Sequence, residues 1–223
     1  MQAVASAVGY SETVLAVPRP GGSGSWLVRY FSPEVEVPFC GHATIALGAV
    51  LAHTHGSARY PLSLAAAEIE VLSGEDHGNW WGVPRSPRTR SSRANALVLE
   101  KALEFFGYKD DDLDSAIPAC CAHAGTDHLI IPLRSREALA RMTYKLDRGR
   151  NFMRDHSIGT VAFIFREEER VFHARNAFAI GGVLEDPATR AAAAAFAGML
   201  RDLGILTSGR IVIIQGEDMG QPP

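Results

Sequence analysis

Ala43-Thr44-Ile45-Ala46-Leu47-Gly48-Ala49-Val50-Leu51-Ala52-His53 carries no acidic, lysine or arginine side chain over a run the length of a globular helix. A helix that is apolar all round must be surrounded by other elements. The flanking sequence supplies them. Glu12 to Pro18 and Ser25 to Phe31 are rich in Val, Leu and aromatic residues, and they flank the cluster Gly21-Gly22-Ser23-Gly24. That pattern reads as a hairpin. Before it, the chain opens on a short helical segment. Beyond the apolar helix, Ala67 to Leu72 and Trp80 to Val83 read as further strands.

The second half repeats the scheme. Leu97 to Phe106 has helical spacing, and Ala116 to His123, His128 to Pro132, Thr160 to Phe165 and Arg170 to Arg175 read as strands. A second uncharged stretch, Ala191 to Leu200, follows Leu184-Glu185-Asp186-Pro187, with proline placed as it often is in the first turn of a helix. Each half thus offers an aromatic-containing strand (Trp26 to Phe31, then Val171 to Phe178), a loop with acids and proline, and an Ala-rich helix. The expected architecture is α+β, with two pseudo-symmetric lobes and a cleft between them. The first lobe is expected over residues 1–95 with its central helix near 42–53, and the second over 96–223 with its helix near 188–202. The polar stretch Pro84 to Asn95 is the expected linker. Two unrelated core helices would leave the same pattern, so the motifs have to decide.

Composition narrows the partners. In 223 residues the formal net charge is −3, with no basic run and no arginine stripe. The footprint of a nucleic-acid or anionic-membrane binder is therefore not expected, and a small molecule or a protein is the default partner. Met1-Gln2-Ala3-Val4-Ala5-Ser6 lacks the features of a signal peptide, and a cytoplasmic protein is expected. Cys40, Cys120 and Cys121 do not make a disulfide framework and are read as reduced. His53-Thr54-His55, and Cys120-Cys121 with His123, lack the spacing of a zinc site, so no metal is expected there.

Three motifs in order carry a resemblance: Ser11-Glu12-Thr13, then Glu36-Val37-Pro38-Phe39-Cys40-Gly41-His42-Ala43-Thr44, then Glu185-Asp186-Pro187-Ala188-Thr189. A fourth, Gln215-Gly216-Glu217-Asp218-Met219-Gly220-Gln221-Pro222, is similar to a late turn in which arginine usually stands where Gln221 does. Over essentially its whole length the chain resembles the PhzF-like (phenazine-biosynthesis-type) isomerases of the diaminopimelate-epimerase fold. The resemblance implies two lobes, each a curled sheet around a central helix, with both helix N-termini available to a substrate carboxylate. It implies Glu12 as the acid/base that moves a proton on a small carboxylic or amino acid, with His42 and Asp186 as its catalytic partners. Gly41, Thr189, Arg190 and Ala191 are implied in substrate binding, no metal or organic cofactor is required, and a homodimer is expected. The chemistry is consistent, because a carboxylate desolvated in an apolar site gains the raised pKa that proton carriage needs. Read singly, each residue has a plainer role. A glutamate opening a strand is usually solvated, a histidine in a first helical turn is usually a cap, and Asp186 before Pro187 is a natural N-cap.

The chain also departs from the pattern. Racemases of this fold that work through cysteine place a thiol at each helix N-terminus, whereas here Cys40 has no counterpart near Asp186. Arg190 and Ala191 replace a glycine and a small polar residue, and a guanidinium there opposes the helix dipole yet can grip an anion bidentately. Compared with the family, the sequence lacks a first strand and a closing strand, which would leave edges open to pairing with another chain. Three functions therefore stand side by side: a cofactor-independent isomerase, a non-catalytic relative serving as a binding or oligomerisation module, and a racemase or epimerase that uses no thiol.

Overall fold

The computed structural model describes residues 1–10, 12–21 and 24–220. Ser11 of the first motif, Gly22 and Ser23 of the glycine cluster, and Gln221 and Pro222 of the late turn lie outside the described residues. Internal contacts divide the chain into two units, Met1–Arg88 and Thr89–Pro223.

The first unit runs α1 (Gln2–Val8), β1 (Thr13–Pro18), β2 (Trp26–Phe31), β3 (Glu36–Val37), α2 (Gly41–His55), β4 (Ala58–Ser63), β5 (Glu68–Asp76) and β6 (Asn79–Pro84). Its sheet has the order β1-β2-β4-β5-β6, with β3 paired to β2. Among the described residues its one parallel pairing joins Trp26 to Leu62 and Leu27 to Ser63, and α2 is the crossover that parallel neighbours require. α2 touches β1 at one end of the strand order and β6 at the other, so the sheet curls around it. Val28, Tyr30, Leu47, Leu51, Leu62, Ile69 and Val71 are buried in that core. Two glycines set the helix-to-sheet distance. A Cβ on Gly82 would lie 2.7 Å from the backbone oxygen of Ile45, and one on Gly48 would lie 2.6 Å from both Val71 Cγ2 and Ser73 Oγ.

The second unit runs β7 (Arg90–Arg93), α3 (Ala96–Phe106), β8 (Cys120–His123), β9 (Asp127–Leu133), α4 (Arg136–Ala140), α5 (Leu146–Asp155), β10 (Thr160–Arg166), β11 (Val171–Ala177), α6 (Arg190–Asp202) and β12 (Val212–Gln215). Its sheet has the order β12-β11-β10-β9-β8-β7. Strand alternation on β9 feeds two cores. Leu129, Ile131 and Leu133 pack with Phe106, Leu139 and Met153 of the helices on one face. Ile130 packs with Phe172, Phe196 and Met199 around α6 on the other. α6 also contacts β7 and β8 at the far end of the order, so this sheet too bends round its helix. In each unit an antiparallel pair (β1/β2, β10/β11) is followed by a helix crossing over to a parallel strand (β4, β12). That shared path is the internal repeat expected from the two Ala-rich helices.

Several local readings need correction. The polar stretch 84–95 is not simply a linker: Arg90–Arg93 pairs with Cys120–His123, and Ser91 Oγ donates to Asp202 on α6. The strand expected over 116–123 begins only at Cys120, because the Asp114 carboxylate accepts the N–H groups of Ala116 and Ile117 and folds that segment into a turn. Pro187 is not in the first turn of α6, which starts at Arg190 with Thr189 as N-cap. Asp186 accordingly is not the N-cap; its carboxylate is committed to Ala188 N–H and the Thr189 hydroxyl instead. β4 was not legible in the sequence. It contains Pro61, which lies beyond the short ladder with β2 and so interrupts none of its bonds. Among the described residues no helix is long and apolar enough to cross a membrane.

Candidate active site

Glu12 immediately precedes β1, and α2 opens at Gly41 behind an extended Cys40 (φ −134°, ψ 114°). Because α2 packs on β1, the first turn of the helix meets the start of the strand. There Nε2 of His42 lies 3.1 Å from Oε2 of Glu12, with the glutamate side chain 6% and the histidine side chain 29% exposed. Glu12 Oε2 is buried and receives no hydrogen bond, so the contact is an ion pair rather than a directed bond. The Cys40 sulfur lies 3.6 Å from His42 Nδ1 and 3.7 Å from Nε2.

A buried scaffold fixes this turn. Tyr30 OH and Thr44 Oγ1 are 2.6 Å apart, and Thr44 Oγ1 donates to the Cys40 carbonyl at 2.6 Å. Burial would lower the His42 pKa, but the Cys40 and Glu12 groups beside the ring outweigh it and raise the pKa well above the ordinary imidazole value. Burial pushes the Cys40 thiol up, with His42 opposing. Each shift favours the protonated form of its own group, and each group's charge acts on the other. A charged imidazole against a buried carboxylate gives one group able to accept a proton and one able to orient or donate.

In the second unit Asp186 is buried, 2% exposed. Its Oδ2 accepts from Thr189 Oγ1 at 2.6 Å, and Thr189 Oγ1 in turn accepts from Asn176 Nδ2 at 2.6 Å. Gln215 Nε2 donates to the Asp186 carbonyl at 2.6 Å, while Gln215 Oε1 accepts the Thr189 N–H at 3.2 Å. Thr189, Arg190 and Gln215 line a surface hollow of about 180 Å³. Ala191 is buried in the first turn of α6. Glu12 with His42, and Asp186 with Thr189, are thus brought together in pairs. Asn176 and Gln215 were not singled out from sequence as site residues. Both act through contacts distant in sequence, and only the parallel β11–β12 pairing, Ala174 opposite Gln215, places them.

Sheets wrapped on crossover helices, with a carboxylate and an imidazole meeting at one helix start, define a class of fold and site. The chain belongs to the PhzC-PhzF family of phenazine biosynthesis-like proteins, whose family model matches residues 1–223. It is 31% identical over 240 residues to an uncharacterized isomerase of Deinococcus radiodurans, spanning 100% of this chain and 74% of that one. It is 30% identical over 230 residues to the trans-2,3-dihydro-3-hydroxyanthranilate isomerase of Pseudomonas fluorescens, spanning 100% of this chain and 76% of the relative. The fold is shared with a PhzF-family phenazine biosynthesis protein of Bacillus anthracis, at a TM-score of 0.79 and 20% identity over 99% of this chain and 77% of the other.

Proposed function

We propose that this protein is a cofactor-independent isomerase that moves a proton from one carbon to another on a small carboxylic or amino acid. The contact of 3.1 Å between Glu12 and His42 carries the reading. The Glu12 carboxylate takes the proton from an acidified C–H, the double bond shifts, and the same carboxyl group returns the proton to the carbon that has gained electron density. No atom is lost or gained. His42 holds a polar group of the substrate by a charge-assisted hydrogen bond, and the start of α2, Gly41 first, faces its carboxylate. In the second unit Asp186 and Thr189, with Arg190 beside them, form a polar cluster suited to an amine or hydroxyl.

The substrate class to try first is an unsaturated cyclic amino or hydroxy acid, on the strength of the named Pseudomonas fluorescens relative. A panel of such acids followed by proton NMR tests the reading: a product with a displaced double bond is expected. An epimerised product, or no conversion of any acid by folded protein, contradicts it.

A further inference from the structure

Glu12, Cys40 and His42 offer a carboxylate oxygen, a thiol sulfur and an imidazole nitrogen that all lie within 4.8 Å of one another. We infer that these three side chains form a binding site for a borderline-soft divalent cation, Zn²⁺ foremost, that blocks the proton-moving pair when it is filled. The separations fit such an ion. With bonds of about 2.0 Å to N and O and about 2.3 Å to S, a tetrahedral centre has an N–O edge of about 3.3 Å and an N–S edge of about 3.5 Å. The corresponding distances here are 3.1 Å for Nε2 to Oε2 and 3.7 Å for Nε2 to Sγ.

A second observation points the same way. Glu12 Oε2 is buried and its partner is the His42 ring, so a cation bound between them takes the place of the imidazole proton and keeps the buried carboxylate paired. The supporting shell is in place: the Ala43 N–H faces the sulfur, and Tyr30 and Thr44 fix the Cys40 backbone. Access is from the side of the partly exposed His42 ring, and an ion held by three side chains takes water or an anion as its fourth ligand. The positive end of the α2 dipole opposes a cation, but binding releases the Cys40 thiol proton and the His42 ring proton to solvent, and the carboxylate and thiolate so formed supply two negative charges to offset the ion's own.

Binding does not depend on the isomerase reading; the blocking effect does. The test is therefore spectroscopic and free of substrate. Co²⁺ is titrated into the purified chain while the thiolate-to-cobalt charge-transfer band is recorded, and Zn²⁺ is then added to displace it. One equivalent of Co²⁺ is expected to produce the band. Cys40→Ala should abolish it, and Cys121→Ala, which removes the half-buried thiol on β8, should leave it intact. Glu12→Gln should weaken Zn²⁺ by more than the roughly 10–100-fold that loss of an outer-shell partner costs. A band that persists in Cys40→Ala, unchanged Zn²⁺ affinity in Glu12→Gln, or no band in folded wild type overturns the site. A Cys40-dependent band in a protein inactive on every acid sustains the site and counts against the isomerase instead.

Discussion

Oε2 of Glu12 sits 3.1 Å from Nε2 of His42, one residue ahead of a strand and one residue into a helix. That contact joins two motifs far apart in sequence and makes the imidazole a charged neighbour of a buried carboxylate. Replacing His42 with Asn keeps a polar side chain but removes the charge. Turnover is expected to fall by about 100- to 10,000-fold, the range that a positioned acid–base partner contributes. Steady-state kinetics, with circular dichroism to confirm the fold, check this.

Thr189 is the junction of the second-unit network, accepting from Asn176 and donating to Asp186. Thr189→Val preserves shape but orphans a buried amide and a buried carboxylate. A loss of about 1–3 kcal/mol in urea unfolding is expected, and Thr189→Ser should recover most of it.

The close approach of α2 to β6 is a backbone contact, so it cannot be relieved by a side chain turning away. Gly82→Ala would press a methyl to 2.7 Å from the Ile45 oxygen. Destabilisation of about 1–3 kcal/mol follows from overpacking, measured as a lowered Tm with unchanged secondary structure.

His128 gives the fold a pH dependence of its own. Its ring is fully buried, bonded through Nδ1 to Thr160 Oγ1 at 2.7 Å, and its Nε2 has no partner. Burial lowers its pKa to about 4, against about 6.5 in an unfolded chain. The unfolded chain therefore binds the extra proton first as pH falls. The contribution, on the order of 3 kcal/mol, is complete above about pH 6.5, declines as pH drops toward the folded pKa, and is gone below it. Urea unfolding between pH 7 and pH 4 should show this slope in wild type and a flatter one in His128→Leu.

The two central helices were legible because a helix-length run without charge has to be enclosed by other elements. Glu12 and His42 were legible through their motifs, yet nothing in either motif states that they touch. Where prediction failed, local side-chain chemistry had outvoted the pattern. Asp114 turned back a stretch that reads as strand, and Asp186 spent its carboxylate on Ala188 and Thr189, delaying α6 to Arg190. β7 escaped notice because its Arg and Ser residues look like a linker until Ser91 finds Asp202. Gln215 reaches Thr189 across the β11–β12 pairing, a contact that no window of sequence contains.

The central claim is that Glu12 carries the proton, and turnover in deuterated water tests it most directly. With an accepted acid, wild type is expected to give product whose only solvent deuterium, taken up by exchange at the Glu12 carboxyl, lies at the carbon that receives the proton, with the substrate's other positions unlabelled. Glu12→Gln, folded and still stabilised by the same acid, should give neither product nor label. Product formation by Glu12→Gln at a rate near wild type would contradict the account.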